Sequence, residues 1–220
     1  EGEVVTAEIE QLLNSYRIEY EANVGYNGPK ALQWIGNMLI AFSLVLILFL
    51  AILFCNYRIF DQYNKYLYLL LVFAISAVVS SVVSDIDQSL FYMMPYTMLA
   101  LYLLAFFKKR VVFTVYTISL LPLLIFAQNG MELFVMDLTA GVVGILVFGR
   151  FNKGWLQFVT AFIVFIVMGL VWSAFRLIEG PGSLNEYRPI LNMALAAFMT
   201  VAGYPLIYLF EKIFKLLSNS

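Results

Sequence analysis

Long apolar runs recur seven times along the chain, each ended by a short polar hinge. A helix crosses a hydrocarbon core in roughly 20 residues at about 1.5 Å rise, and a helix satisfies all its backbone groups internally, which lipid cannot do for it. The pattern predicts an all-α membrane protein, a bundle of seven transmembrane helices at about 37–54, 66–84, 90–107, 111–128, 131–149, 155–177 and 190–210. Together these fill a membrane domain over 31–210, flanked by 1–30 and 211–220.

The hinges set the orientation, because Lys and Arg are retained on the cytoplasmic side. One set of hinges holds nine basic residues, Arg58, Lys65, Lys108, Lys109, Arg110, Arg150, Lys153, Lys212 and Lys215; the other holds four, Arg17, Lys30, Arg176 and Arg188. The N-terminus is therefore expected outside and the C-terminus in the cytoplasm. Asp85, Asp87, Glu132, Glu179 and Glu186 fall in the outer hinges and agree.

Composition excludes a soluble fold: 63% of the 220 residues are hydrophobic and 12% charged. A net charge of -1 gives no reason to expect nucleic acid as a partner; the partner expected is the lipid bilayer. One cysteine excludes an internal disulfide, and the absence of histidine removes the commonest general base and the commonest metal ligand together. No cofactor or metal is expected on these residues.

In the outer segment 1–30, Thr6 is placed to cap a short helix through Glu8, Ile9, Leu12 and Leu13, with Gly25, Asn27, Gly28 and Pro29 breaking it. About 30 residues cannot bury a core alone, so the segment is expected to close an outer domain, with a natural short ectodomain as the alternative, and the chain, which opens on Glu1, to be part of a longer one. At the other end Leu206, Leu209, Phe210, Ile213, Phe214 and Leu217 form an apolar stripe beside Glu211 and Lys215, predicting an amphipathic extension of the last helix.

Lipid tails are as apolar as leucine, so helices associate through small residues and interhelical hydrogen bonds. Ser76, Ser80 and Ser84, then Ala140, Gly141 and Gly144, then Ala194, Ala197, Ala202 and Gly203, are expected packing faces. Pro95, Pro122 and Pro205 are expected kinks and the candidate hinges. Asp137 is the carboxyl inside a span, where an ionised group costs about 2.5–3.5 kcal/mol on insertion scales if central; Arg176 is its expected partner. With Glu132 above it and Asn192 near the outer end of the seventh helix, these four are the candidate ligand-binding residues. Trp34, Trp155 and Trp172 are expected in interfacial belts, and Cys55 as either an acylation site or a small buried hydrophobe.

Several classes are absent from the pattern. No span holds a lysine for a retinal Schiff base, and there is no His-Glu-x-x-His, no Ser and His pair and no pair of facing carboxylates for intramembrane proteolysis. Catalytic residues are expected to be none.

Three motifs carry a resemblance: Pro205-Leu-Ile-Tyr-Leu-Phe-Glu211-Lys-Ile-Phe-Lys-Leu-Leu-Ser218; Gly141-Val-Val-Gly144-Ile-Leu-Val-Phe-Gly149-Arg150 ahead of an aromatic-rich sixth helix; and Gly2-Glu-Val-Val-Thr6 with Leu12 and Tyr16. The chain resembles the membrane region of bacterial seven-transmembrane receptors fused to a cytoplasmic HD-type phosphohydrolase, a family that includes cyclic-di-AMP phosphodiesterases. The resemblance implies a multi-pass protein of the bacterial cytoplasmic (inner) membrane that anchors and signals, joining an outer sensor domain to an HD hydrolase, with a homodimer as a possible assembly. It implies two metal ions held by His and Asp in the HD domain. With no histidine here, no family catalytic residue carries over. Two readings from other classes stand beside it: a stand-alone receptor for a small hydrophobic or lipid ligand near Asp137, and a transporter using Asp137 as its coupling acid, the latter disfavoured by the lack of paired repeats.

Overall fold

The computed structural model describes residues 9–16, 30–148, 157–179 and 187–214. The helices are α1 (residues 9–16), α2 (Lys30–Asn56), α3 (Tyr63–Ile86), α4 (Tyr96–Phe106), α5 (Lys109–Ser119), α6 (Leu121–Phe126), α7 (Gly130–Phe148), α8 (Gln157–Glu179), α9 (Arg188–Ala202) and α10 (Ile207–Phe214). Tighter 3₁₀ turns occupy Tyr57–Ile59, Gln88–Met93 and Tyr204–Leu206. Among the described residues no strand occurs. The expected Thr6 cap, the Gly25 to Pro29 break, the hinge at Arg150 and Lys153 with Trp155, and Lys215 with Leu217 lie outside the described residues.

The chain divides into two compact units, Glu1–Leu46 and Ile47–Ser220. In the first, α1 presents Ile9, Leu12, Leu13 and Tyr16 exposed, and the leading part of α2 presents Trp34, Met38 and Phe42 exposed. The second unit is the bundle. Among the described residues six stretches are long and apolar enough to cross a membrane: Trp34–Ile59, Tyr63–Ile86, Gln88–Phe106, Lys109–Phe126, Gly130–Phe148 and Phe158–Ile178. The pair α9 and α10, bent by 49°, meets the same test together and supplies the seventh.

Within the second unit α4 is the innermost element, with Tyr96, Thr97, Leu99 to Leu103, Ala105 and Phe106 buried. It is apolar on all sides, as a helix enclosed by others must be, and it packs against α5, α7 and α9. Its Thr97 hydroxyl bonds that of Thr200 on α9, and its Tyr96 and Tyr102 hydroxyls find partners on α3 and at Gly203. From Ile47 onward α2 buries Leu48 and Ile52, stacks Phe49 near Phe60, and sets the Cys55 thiol 3.3 Å from the Thr114 hydroxyl of α5.

Each interior proline stands at a helix break. Pro95 follows the Gln88–Met93 turn and caps α4, and Met94 before it is extended (ψ 125°), as steric conflict with the proline ring requires. Pro122 opens α6 immediately after the α5 break at Leu120. Pro205 lies in the turn between α9 and α10.

The serine stripe of α3 repairs one of these breaks. At Leu120 the Leu123 N–H bonds the Leu120 carbonyl (3.0 Å), not that of Ser119 as a continuing helix would demand. The freed Ser119 carbonyl accepts the Ser76 hydroxyl. At the far end of α6 the Phe126 carbonyl, also without a helical donor, accepts the Ser84 hydroxyl (2.9 Å), with the Gln88 amide at 3.5 Å. Ser80 shares a 2.8 Å bond with the Tyr96 hydroxyl.

The glycine face of α7 serves the same end. A Cβ at Gly141 would collide with the ring of Tyr116, whose hydroxyl donates to the Asp137 carbonyl at 2.6 Å, and one at Gly144 would touch Val164 of α8 at 3.7 Å. On α9 the expected alanine face is corrected in part: Ala197 is buried with Met193, Ala196, Thr200 and Val201, while Ala194 and Ala202 are exposed. Rotation of the helix about its axis puts the seam on the face of Met193, Ala196, Ala197, Thr200 and Val201.

Gly141→Ala is expected to destabilise the bundle by about 1–3 kcal/mol, because the enclosed Tyr116 ring cannot retreat. Tyr116→Phe, which removes only the hydrogen bond, should cost about 0.6 kcal/mol. Thermal unfolding of the purified protein in detergent ranks the two.

Candidate functional site

Polar chemistry gathers at the end of the bundle where α7 begins and α8 finishes. Glu132 lies in the first turn of α7 and Arg176 in the last turn of α8. An acid near a helix N-terminus and a base near a C-terminus each complement the local end of the helix dipole. The two helices pack side by side, so the charges meet, and Arg176 pairs with Glu132. The carboxylate is buried (4% exposed) and the guanidinium nearly so (13%). The other carboxylate oxygen of Glu132 accepts the Tyr92 hydroxyl at 2.9 Å, and that hydroxyl accepts from the Asn129 amide at 3.4 Å.

The expected pairing of Asp137 with Arg176 is thereby corrected. Asp137 lies five residues further along α7, about 7.5 Å down the helix axis, and is buried (1% exposed) with neither carboxyl oxygen bonded among the described residues. It lines neither the pocket described next nor a smaller apolar recess of about 110 Å³ beside Pro95. The structure thus brings Glu132, Arg176 and Asn192 to one end and leaves Asp137 apart from them.

A pocket of about 490 Å³ opens beside the ion pair, lined by Tyr92, Asn129, Trp172, Arg176, Arg188 and Asn192 among others. The Gln88–Met93 turn and the start of α9 form it together, and the Asn192 amide ties them by donating to the Ser89 carbonyl at 3.2 Å. Trp172 was expected in an interfacial belt; it is 3% exposed and forms a pocket wall. Tyr92, Asn129, Ser89 and Arg188 were not singled out by sequence reasoning. The one available signal was the count of polar residues at helix ends sharing this side.

Asp87, at the pocket rim but not in its lining, caps the Gln88–Met93 turn. The Ser89 backbone N–H (2.9 Å) and then its hydroxyl (2.8 Å) hold the exposed Asp87 carboxyl below its usual range, with a smaller contribution from the charge of Arg188.

A second cluster forms at the opposite end, around Tyr68 of α3. Its ring meets Phe106 (5.0 Å), Phe107 (6.2 Å), Phe210 (5.6 Å) and Phe214 (5.4 Å), the last two from α10. The Tyr68 hydroxyl donates to the Tyr102 carbonyl (3.2 Å), and the Tyr102 hydroxyl to Gly203 (2.8 Å) beside the α9–α10 bend. The face α10 turns inward is therefore Ile207 and Phe214, both buried, with the half-buried Phe210, whereas Leu206, Leu209 and Ile213 of the predicted stripe are exposed. Two residues before Tyr68, Tyr66 packs on Phe60 (5.1 Å), which packs on Phe49 of α2 (5.0 Å).

Among the described residues no group of three or more acidic, cysteine or histidine side chains is placed to hold a metal ion.

Glu132→Ala should lower stability by about 3–5 kcal/mol, since it breaks the enclosed pair with Arg176. Asp137→Asn should change it by less than about 1 kcal/mol, because no bonded partner is lost. Thermal melts of both variants decide whether the ion pair belongs to Glu132 or Asp137.

A family model described as a 7TM receptor with intracellular HD hydrolase matches residues 31–218. No curated protein and no solved structure matches the chain.

Proposed function

This chain belongs to the family of seven-transmembrane receptors with an intracellular HD hydrolase, and from that membership we propose that it is the anchoring and signal-transmitting module of a bacterial membrane-bound cyclic-di-AMP phosphodiesterase. In this reading residues 1–30 close an extracytoplasmic sensor domain, the bundle lies in the cytoplasmic membrane with Glu132 and Arg176 on the outer side, and α10 leads through 211–220 to the HD domain. The two metal ions and the phosphodiester chemistry belong to that domain; no side chain described here takes part in hydrolysis.

The observation that carries the reading is the chain of aromatic contacts at the inner end. It links α2, the helix that continues from the outer segment, to α10, the helix that leads toward the hydrolase. Phe49 bears on Phe60 and Phe60 on Tyr66, on one side of α3; Phe210 and Phe214 bear on Tyr68, on another. A displacement of α2 acts on α3 through Phe60 and reaches α10 through Tyr68, while the bend at Pro205 lets α10 move without dragging α9. Pro95 and Pro122, at the other breaks, serve as secondary hinges. Such a relay requires two arrangements of the bundle that an outer stimulus distinguishes.

The exposed apolar stripe of α1 supports a sensor domain that covers it. The placement of Asp137 gives less support to a transporter, since its carboxyl lines neither of the two cavities described above.

Tyr68→Leu in the full-length protein should leave basal cyclic-di-AMP hydrolysis in place and abolish the change in rate that the outer domain imposes, here imposed by crosslinking a cysteine pair introduced into that domain. Hydrolysis in membrane vesicles before and after crosslinking reads the effect. An unaltered response would remove the proposed relay, and reporter fusions placing residues 1 and 220 on one side of the membrane would remove the module reading itself.

A further inference from the structure

The pocket beside the ion pair is built for a ligand of definite charge. Among the described residues its lining includes two arginines and no acidic residue. Arg176 pairs with Glu132 behind the wall, and the charge of Arg188 reaches Asp87, whose carboxyl is held by Ser89 and is not in the lining, so the charged groups of the described lining are the two guanidiniums. Asn129 and Asn192 add neutral donors, and Trp172 with Tyr92 adds flat apolar walls. A few convergent polar groups set among aromatic faces, in about 490 Å³, is the composition of a small-molecule site.

We infer that this pocket binds a small organic anion, a carboxylate or phosphate carried on a compact apolar or aromatic body. The anionic group sits against Arg188 and the guanidinium edge of Arg176, where charge-assisted bonds are short and directional. The body lies against Trp172 and Tyr92. A cationic or zwitterionic ligand is disfavoured, because among the described residues no carboxylate lines the pocket to receive its positive group. The same chemistry is offered by two sources, a soluble organic acid and the phosphate of an anionic lipid headgroup. The inference does not depend on coupling to a hydrolase, because binding itself is what is measured.

Trp172 supplies the readout. With Trp34 and Trp155 replaced by Phe, the remaining indole reports from the pocket wall. The 220-residue chain is reconstituted in nanodiscs of zwitterionic phosphatidylcholine and titrated with benzoate and, separately, with its neutral analogue benzamide. The expected result is a saturable change in Trp172 emission with benzoate and none with benzamide, weakened by about tenfold or more in Arg188→Gln and less in Arg188→Lys. In nanodiscs containing phosphatidylglycerol, an emission change before any addition, lost in Arg188→Gln, identifies the lipid headgroup as the occupant and supports the inference equally. Equal responses to benzoate and benzamide, an undiminished response in Arg188→Gln, or no saturable response in either lipid would overturn it. Arg188→Lys, which keeps the charge, guards against a folding defect in the glutamine variant, and Glu132 is left untouched throughout so that the ion pair remains intact.

Discussion

In hydrocarbon a backbone carbonyl without a donor cannot turn to water, and this one constraint explains how the bundle tolerates so many interrupted helices. The break at Leu120 frees the carbonyl of Ser119, and the end of α6 frees that of Phe126. Both are taken by hydroxyls of a single stripe on α3. The α9–α10 bend leaves the Gly203 carbonyl accessible, and Tyr102 takes it. What would be defects in isolated helices become the points at which one helix is tied to the next, so that a proline in one segment and a hydroxyl in another are two halves of one feature.

Much of this was legible in the chain. Apolar runs of spanning length gave the bundle, and the prolines marked the breaks because the missing donor and the ring clash act locally, independent of partners. The serine and glycine faces were legible for a related reason: small and hydroxylated residues at helical spacing have few roles in lipid other than close approach. What failed was whatever depends on the stagger and rotation of one helix against another. Glu132 and Asp137 are both reasonable partners for Arg176 when α7 is read alone, and only the register between α7 and α8 decides for Glu132. Trp172 is interfacial by position yet enclosed by rotation. Of the apolar stripe read on α10, Phe210 and Phe214 do meet Tyr68, but Leu206, Leu209 and Ile213 are exposed and Ile207 is buried instead, a rotation that only the docking on Tyr68 determines.

The two ends of the bundle differ in the forces that hold them. At the end of Glu132 the contacts are ionic and directional: a carboxylate shared between a guanidinium and a tyrosine hydroxyl, with an asparagine behind. Such a network is sensitive to any charge that arrives beside it, since a new anion competes for the same guanidinium. At the end of Tyr68 the contacts are ring on ring, with centroids 5.0–6.2 Å apart. Aromatic contacts tolerate sliding better than charged hydrogen bonds because their energy is spread over area.

That difference suits a bundle that receives at one end and transmits at the other. The pocket wall Trp172 and the ion-pair partner Arg176 stand four residues apart on α8, one turn of the same helix, so the pocket and the ion pair share a rigid element. α8 packs on α7, α7 on α4, and α4 carries Tyr102, whose carbonyl and hydroxyl connect Tyr68 to Gly203. A charge accepted beside Arg176 therefore has a continuous packed route to the bend at Pro205, separate from the route that enters through α2 and Phe60. Both converge on Tyr68, a buried ring touched by α10 on one side and bonded to α4 on the other.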